Sequence, residues 1–434
     1  MSTKPETVLV PGLTGLRLHR WNDRAVIAVA IAAFASGFAQ FGVVAALGDV
    51  ARGFGQVNLG ATLANQAGLS STELGVGLAI IRLASLGALP VTGLADRFGR
   101  RIMLLVTVGL GLVMTAVAAA SPSYWWFVAI FASGRPLLSA TNALAQVTAA
   151  ELTGAADRAK AVALIAAGYG TGAGVVAILH SLASRLIGFR GVFVLALVPL
   201  ALMPLLWHWI EEPERFAVTA AGSEHAIPVL GAVAAPFRRR VAVIVALAFA
   251  VSVITGPANS FVFLFAQNVL RQPGIVTAAM VVGAGAAGLA GLLAGRWLAD
   301  RVGRRLTGGL AMVAVALLAT VTYSGSAPAL LAGYILGVFA ASVFAPAAGS
   351  LVNELFPTPV RASVAGWSLA AGVLGAVTGL VVFGTVSEAG HRFAVAGLVT
   401  FCPAALVMVL FWLLPETRGG EPEDFWSPGN STSR

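Results

Sequence analysis

Long apolar runs alternate with short charged clusters along almost the whole chain. A membrane-spanning helix needs about 20 mostly apolar residues, each rising 1.5 Å. Twelve runs meet that length: about 25–48, 73–94, 101–121, 124–150, 159–182, 191–210, 240–265, 275–297, 305–324, 327–353, 362–386 and 391–414. They form two sets of six, over residues 25–210 and 240–414. A polar linker over 211–239 joins the sets, and tails over 1–24 and 415–434 flank them. The pattern predicts an all-α polytopic membrane protein of twelve transmembrane helices in two pseudo-symmetric six-helix bundles.

The charged clusters repeat. Leu94-Ala95-Asp96-Arg97-Phe98-Gly99-Arg100-Arg101 returns as Leu298-Ala299-Asp300-Arg301-Val302-Gly303-Arg304-Arg305, 204 residues later. Glu151-Leu152 and Arg158 return as Glu354-Leu355 and Arg361 after 203 residues. Gly188-Phe189-Arg190 returns as Gly390-His391-Arg392, and Pro213-Glu214 as Pro415-Glu416, both after 202. Four landmarks in one order at nearly one spacing mark a duplicated unit, its copies related by an axis along the membrane normal. Each copy of the first landmark is expected to be a short charged loop between two helices.

Composition agrees with a lipid solvent. Hydrophobic residues make up 58% of the chain and charged ones 10%, against roughly 25% charged in soluble domains. The net charge of +9 comes from scattered clusters, which is how topology signals are laid out; a nucleic-acid stripe is not, so no nucleic-acid partner is expected. Of the 27 Lys and Arg residues, 20 fall on the side of the termini and 5 on the other, while Arg82 and Arg135 lie within runs. The positive-inside rule then predicts cytoplasmic termini, linker and repeated loops. Cys402 is the single cysteine, which excludes an intrachain disulfide and a thiolate zinc cluster. Residues 1–24 are polar and the first run is long enough to stay in the bilayer, so no cleavable signal peptide is expected. Arg outnumbers Lys 25 to 2, a bias that fits a GC-rich bacterial genome and hence an inner (plasma) membrane.

These residues resemble the major facilitator superfamily of secondary transporters, over nearly the whole chain. The superfamily signature Gly-x-Leu-Ala-Asp-Arg-x-Gly-Arg-(Lys/Arg) lies between helices 2 and 3. Here Thr92 and Arg296 stand in place of its first glycine, and the Asp-Arg-x-Gly-Arg-Arg core is intact in both copies. Glu212-Pro213-Glu214-Arg215-Phe216 is similar to the sugar-porter tag Pro-Glu-Ser-Pro-Arg, and Leu414-Pro415-Glu416-Thr417-Arg418-Gly419 to that branch's Pro-Glu-Thr-Lys-Gly. Relatives that carry organic acids share these tags, so they do not establish a sugar substrate. Gly168, Gly170, Gly172 and Gly174 resemble the glycine-rich signature of antiporters without its proline.

The resemblance implies a monomeric carrier in the sugar-porter or metabolite-symporter branch, working by alternating access without a cofactor. It also implies a cytoplasmic gate built from Asp96, Arg97, Gly99, Arg100, Glu151 and Arg158, and from Asp300, Arg301, Gly303, Arg304, Glu354 and Arg361. By that likeness Asp96 meets a helix N-terminus of the other half, worth about 0.3–1 kcal/mol, while Glu151 pairs with Arg100 and Glu354 with Arg304. Topology alone explains the arginines but not the repeated aspartate.

Two charges lie deep in the runs. Arg82 precedes Asp96 by 14 residues and Arg135 precedes Glu151 by 16, which places them about 21 Å and about 24 Å along helices 2 and 4. All 18 acidic residues map to loops, termini or helix ends, with Asp49 and Glu73 nearest. An unpaired guanidinium at mid-membrane costs about 2.5–3.5 kcal/mol, and its fork fits a carboxylate or phosphate. The expected cargo is therefore a small organic anion, a carboxylate, held between Arg82 and Arg135. Bonds to backbone carbonyls or to Asn142 are the structural alternative.

Gln40, Asn142, Tyr169, Asn259 and Trp367 are the neutral cavity candidates, although polar residues also hold helices together. Gly256-Pro257 is expected to kink helix 7 near the cavity. Where proton-driven relatives carry an aspartate after Gly-Phe, Gly37-Phe38 is followed by Ala39-Gln40. A coupling proton would then ride on Asp49, His180 or the cargo, and exchange for a counter-anion or facilitated diffusion needs none. An exporter of drugs or neutral metabolites, sugar-like solutes included, is the alternative, with cationic drugs disfavoured by the positive interior. No nucleophile–base pair, metal cluster or nucleotide loop suggests an enzyme.

Overall fold

The computed structural model describes residues 18–56, 68–214, 233, 235–390, 392–420 and 425–426. Most of the linker, including Arg215-Phe216, and the outer parts of both tails lie outside the described residues. Eleven helices among the described residues are long and apolar enough to cross a bilayer: α1 (Arg24–Ala45), α2 (Ser71–Phe98), α3 (Arg100–Ala118), α5 (Ala156–Ala183), α6 (Leu186–Trp209), α7 (Ala235–Val269), α8 (Gly274–Arg301), α9 (Arg304–Thr322), α10 (Ala327–Leu355), α11 (Ser363–Glu388) and α12 (Phe393–Leu413). Between α3 and α5, α4 (Tyr124–Leu152) is 29 residues long, its apolar run broken by Arg135, Pro136 and Asn142. Each helix overlaps one predicted run, and together they build the twelve-helix, two-bundle fold.

Several helices outrun their apolar stretches. The repeated cluster is mostly the last turn of a helix: α2 continues through Phe98 and α8 through Arg301. The chain leaves the helix only at Gly99 and at Val302-Gly303, correcting the expected loop. From α5 the path runs on into α6, turning at Gly188 (φ 62°). In α7, Pro257 stays inside the helix, and the regular helix ends at Ser260. Beyond Phe261 the path closes in a π-turn over Phe265–Val269. Proline forfeits only one backbone bond, while the Tyr323 hydroxyl donates to the Pro257 and Ala258 carbonyls at 3.2 and 2.8 Å. The second of these competes for an intrahelical acceptor, so the irregularity appears just past Pro257.

Apolar area sorts the helices by place. α1 is mostly buried, whereas α8 and α10 turn most of their surface outward. Leu293 and Leu406, each 74% exposed, belong to the apolar belt that faces lipid. α1 packs along α5 through the glycine run: a Cβ on Gly172 would lie 2.0 Å from the Phe34 carbonyl, and one on Gly168 2.7 Å from that of Ala30. That run is a packing seam of the small-residue kind.

The two halves meet on the side away from the termini. Glu388 of α11 accepts from the Ser71 amide of α2 at 2.7 Å, below which Gly75 and Gly384 let the helices touch. Phe41 of α1 meets Phe263 of α7 edge-on at 6.0 Å. Gly274 of α8 packs against the Ser181 carbonyl of α5. These three helix pairs close the far side of the molecule.

Candidate substrate cavity and its gates

Beneath that closure the halves enclose a cavity of ≈ 320 Å³. Gln40, Arg82, Arg135, Tyr169 and Asn259 all line it, so five of the seven expected residues converge. Its other walls include Phe41, Val44, Leu78, Ile81 and Leu380. Arg82 is set by a local change of pitch. After it α2 tightens into a 3₁₀ turn over Ser85–Gly87, and the Ser85 hydroxyl donates to the Arg82 carbonyl at 2.6 Å. Arg135 is 8% exposed and precedes Pro136, on which Gly87 packs. Gln40 donates to Ser36 Oγ at 2.8 Å and to the Leu138 carbonyl at 3.1 Å, tying α1 to α4 beside Arg135. Asn259 donates to the Thr255 carbonyl one turn back.

Among the described residues no carboxylate lines this cavity, and neither guanidinium has an ion-pair partner. Arg135 Nε is buried without a hydrogen bond. Asn142 Oδ1 is likewise unpartnered, so the expected alternative of an Arg135–Asn142 bond is not formed. Asn142 lies seven residues past Arg135, about two turns nearer the terminal side, and does not line the cavity. Trp367 is 40% exposed near the terminal end of α11 and is also outside it. Arg82 lines a second cavity of ≈ 350 Å³ with Ile244, Val352, Ser368 and Phe411, which continues toward the terminal side. Arg82 therefore stands between vestibule and cavity, with Arg135 at the deeper position. Ser252, Thr255 and Ser260 also line the central cavity. Sequence reasoning missed these three; the spacing of Ser252 and Thr255 with Asn259 on one helical face could have pointed to the first two.

At the terminal side the expected Glu–Arg pairs form. Arg100 lies 3.3 Å from Glu151 and Arg304 3.2 Å from Glu354. Asp96 pairs with Arg100 of its own half at 2.7 Å, and Asp300 with Arg304 at 3.1 Å. The expectation that Asp96 meets a helix N-terminus of the other half is thus not met in this conformation. The N-termini of α3 and α9 are met instead by carboxylates that follow α6 and α12. Glu212 accepts from the Arg100 and Arg101 amides at 2.6 and 3.0 Å. Glu416 accepts from those of Arg304 and Arg305 at 2.9 and 3.1 Å.

Gly99 (φ 93°, ψ 151°) and Gly303 (φ 119°, ψ 153°) open these two helices in a region nearly closed to other residues. A Cβ on either would lie 2.8 Å from the capping carboxylate. Arg158 and Arg361 donate to the nearby Ala150 and Phe356 carbonyls. Arg301 lies over Trp297, and Arg97 is exposed.

The family model described as Major Facilitator Superfamily matches residues 29–305 and 274–429. The chain is 29% identical over 289 residues to the transcription regulatory protein OpdE of Pseudomonas aeruginosa, covering 64% of this chain and 65% of that one, just under two thirds of its length. It is 26% identical over 371 residues to a probable 4-methylmuconolactone transporter of Cupriavidus pinatubonensis (81% and 84% covered). It is 30% identical over 316 residues to the 3-(3-hydroxy-phenyl)propionate transporter of Escherichia coli (70% and 75% covered). In fold it is similar to the inward open xylose transporter XylE of E. coli, with a TM-score of 0.66, 17% identity, and 93% and 99% of the two chains covered.

Proposed function

The chain belongs to the Major Facilitator Superfamily, and we propose that it carries a small organic anion, a carboxylate on an apolar body, across the plasma membrane by alternating access. The observation that carries this reading is the cavity itself, where two guanidinium groups meet apolar walls with no carboxylate among the lining residues. A bound carboxylate would supply a negative charge between them, and a bidentate contact is the geometry that an arginine fork favours. Phe41, Leu78, Ile81 and Leu380 offer a dry surface to the rest of the cargo. The E. coli relative is named for an aryl-substituted propionate, a cargo of this chemical shape.

In the proposed cycle residues 25–210 and 240–414 rock as two bodies about the cavity, with both termini in the cytoplasm. Arg82 takes the carboxylate from the cytoplasmic vestibule and Arg135 holds it in the depth of the cavity, or the reverse during import. The carrier acts as a monomer. The pairs Arg100–Glu151 and Arg304–Glu354 stiffen the two cytoplasmic levers, and Asp96 reaches the other half when that side closes.

Uptake into proteoliposomes of labelled phenylpropionate, an aliphatic dicarboxylate, xylose and a cationic dye tests this. Phenylpropionate uptake lost in Arg135→Gln is the expected result. Xylose or dye uptake that survives both Arg82→Gln and Arg135→Gln would overturn it and favour the exporter of neutral or drug-like solutes. Binding of the carboxylate without flux in any condition would favour a regulatory role, as in the name of the Pseudomonas relative.

A further inference from the structure

A further chamber lies inside the C half, a space of ≈ 260 Å³ among α7, α8, α9 and α10. Thr255 and Asn259 of α7 line both this chamber and the central cavity, so the two spaces meet at one wall. Asn259 donates back to the Thr255 carbonyl at 2.9 Å, which holds its amide along the helix at that doorway. A cavity of about 150 Å³ with aliphatic walls already binds benzene. The chamber has room for an aromatic ring.

The sequence opens this space in one half only. Leu138 and Asn142 of α4 are matched 203 residues later by Ala341 and Ala345 of α10, and Thr115 of α3 is matched 204 residues later by Ala319 of α9. All three replacements are smaller, and all three line the chamber. Val315 in place of Gly111 returns only part of the lost volume. Gly337 also lines the chamber, and a Cβ there would meet Leu318 at 3.7 Å, an ordinary contact. Close helix packing therefore does not demand a small residue at that position, unlike at Gly168 and Gly172.

Tyr334 of α10 supplies the polar feature of the chamber. Its side chain is 9% exposed, and its hydroxyl has no hydrogen-bond partner among the described residues. The neighbouring phenol, Tyr323, is satisfied by the Pro257 and Ala258 carbonyls. A buried hydroxyl left unmet is costly, and one that faces an open chamber can be met by whatever enters it.

We propose that the chamber receives an aromatic ring of the cargo, passed between Thr255 and Asn259, and that the Tyr334 hydroxyl bonds a polar substituent on that ring. This deepens the carboxylate reading and rests on it only for the charged end, which Arg82 and Arg135 hold from the N half. Val315 and Val338 offer carbon to the faces of the ring, and the Tyr334 ring can meet its edge or stack on it offset. An alkyl chain would also fit the volume, but it would leave the hydroxyl unmet.

The test uses the whole chain in detergent micelles and probes the chamber with and without a charged group. The photoprobes are 3-(4-azidophenyl)propionate and the neutral 4-azidobenzyl alcohol, and their adducts are mapped by mass spectrometry of peptides. Adducts displaced by excess phenylpropionate or benzyl alcohol should fall on the chamber walls of α9 and α10 with both probes. Ala341→Leu, which fills part of the space, should cut that labelling about tenfold with the thermal midpoint kept. As a displacer of the neutral probe, 4-hydroxybenzyl alcohol should outdo benzyl alcohol about fivefold, and Tyr334→Phe should erase the difference. No displaceable labelling of the chamber by the neutral probe, or labelling that a folded Ala341→Leu leaves unchanged, overturns the ring site; a preference that survives Tyr334→Phe overturns the role of the hydroxyl. Labelling by the neutral probe without any by the carboxylate leaves the ring site standing and sinks the carboxylate reading. Should the variants fail to fold, the map and the displacer pair in the parent chain decide.

Discussion

In the N half, Glu212 caps α3 through the Arg100 and Arg101 amides; in the C half, Glu416 caps α9 through those of Arg304 and Arg305. Glycine, arginine, glutamate partner and capping carboxylate recur at 203 or 204 residues. The cavity does not obey this repeat. Arg82 and Arg135 line it from the N half, and the positions 204 and 203 residues onward are Ala286 and Val338. The difference has a physical basis. Each half is a separate lever and needs its own stiffened corner, whereas the cavity is shared on the axis between them. A second pair of arginines there would put four guanidinium groups around one carboxylate and leave three positive charges uncompensated in a medium of low dielectric.

Breaking this comparison should begin where the asymmetry is steepest. Arg135→Gln removes a buried charged contact and should lower carboxylate uptake by about 100-fold or more, whereas Val338→Arg should not restore it; equal uptake in Arg135→Gln would remove the cavity from the cargo path. Gly99→Ala and Gly303→Ala each force a side chain into a forbidden backbone region. Each should cost about 2 kcal/mol, seen as matching falls in the thermal midpoint of the detergent-solubilised protein. Arg82→Gln, at the cavity mouth and reachable by water, should lower uptake by about tenfold, with the loss chiefly in KM.

Glu212→Gln and Glu416→Gln keep the acceptor oxygen but lose its charge, and should destabilise by about 1 kcal/mol each. Unequal effects of these two would end the case for equivalent corners. The smallest change belongs to Asp96→Asn, whose exposed pair with Arg100 should contribute under about 1 kcal/mol to stability. Any larger defect in its transport rate, measured beside the melting curve, would isolate a role in the conformation closed on the terminal side.

Apolar length made the helices readable, because a bilayer imposes the same ruler on every span. Repetition marked Arg100, Glu151, Arg304 and Glu354, and the family resemblance supplied their pairing. The caps were hidden by register: Pro213-Glu214 was matched to Pro415-Glu416 at 202 residues, whereas the structural equivalents are Glu212 and Glu416 at 204, the spacing of Asp96 and Asp300. Depth separated the cavity candidates. Gln40, Tyr169 and Asn259 lie level with the arginines, but Asn142 and Trp367 lie nearer the terminal side, which residue type alone does not report. Asp49 and His180 were visible singly. Their contact across 131 residues depends on how α1 lies along α5, and no periodicity in either helix encodes that.

The capping carboxylates also bear on how the protein is made. Glu212 comes directly after α6 and reaches back to the start of α3, so every atom of the first buckle exists before α7 has left the ribosome. Synthesis runs from the N-terminus, and completed units fold as they emerge. The first bundle can therefore be clasped and held in the bilayer while the second is still being translated. Glu416 repeats the fastening once α12 is complete.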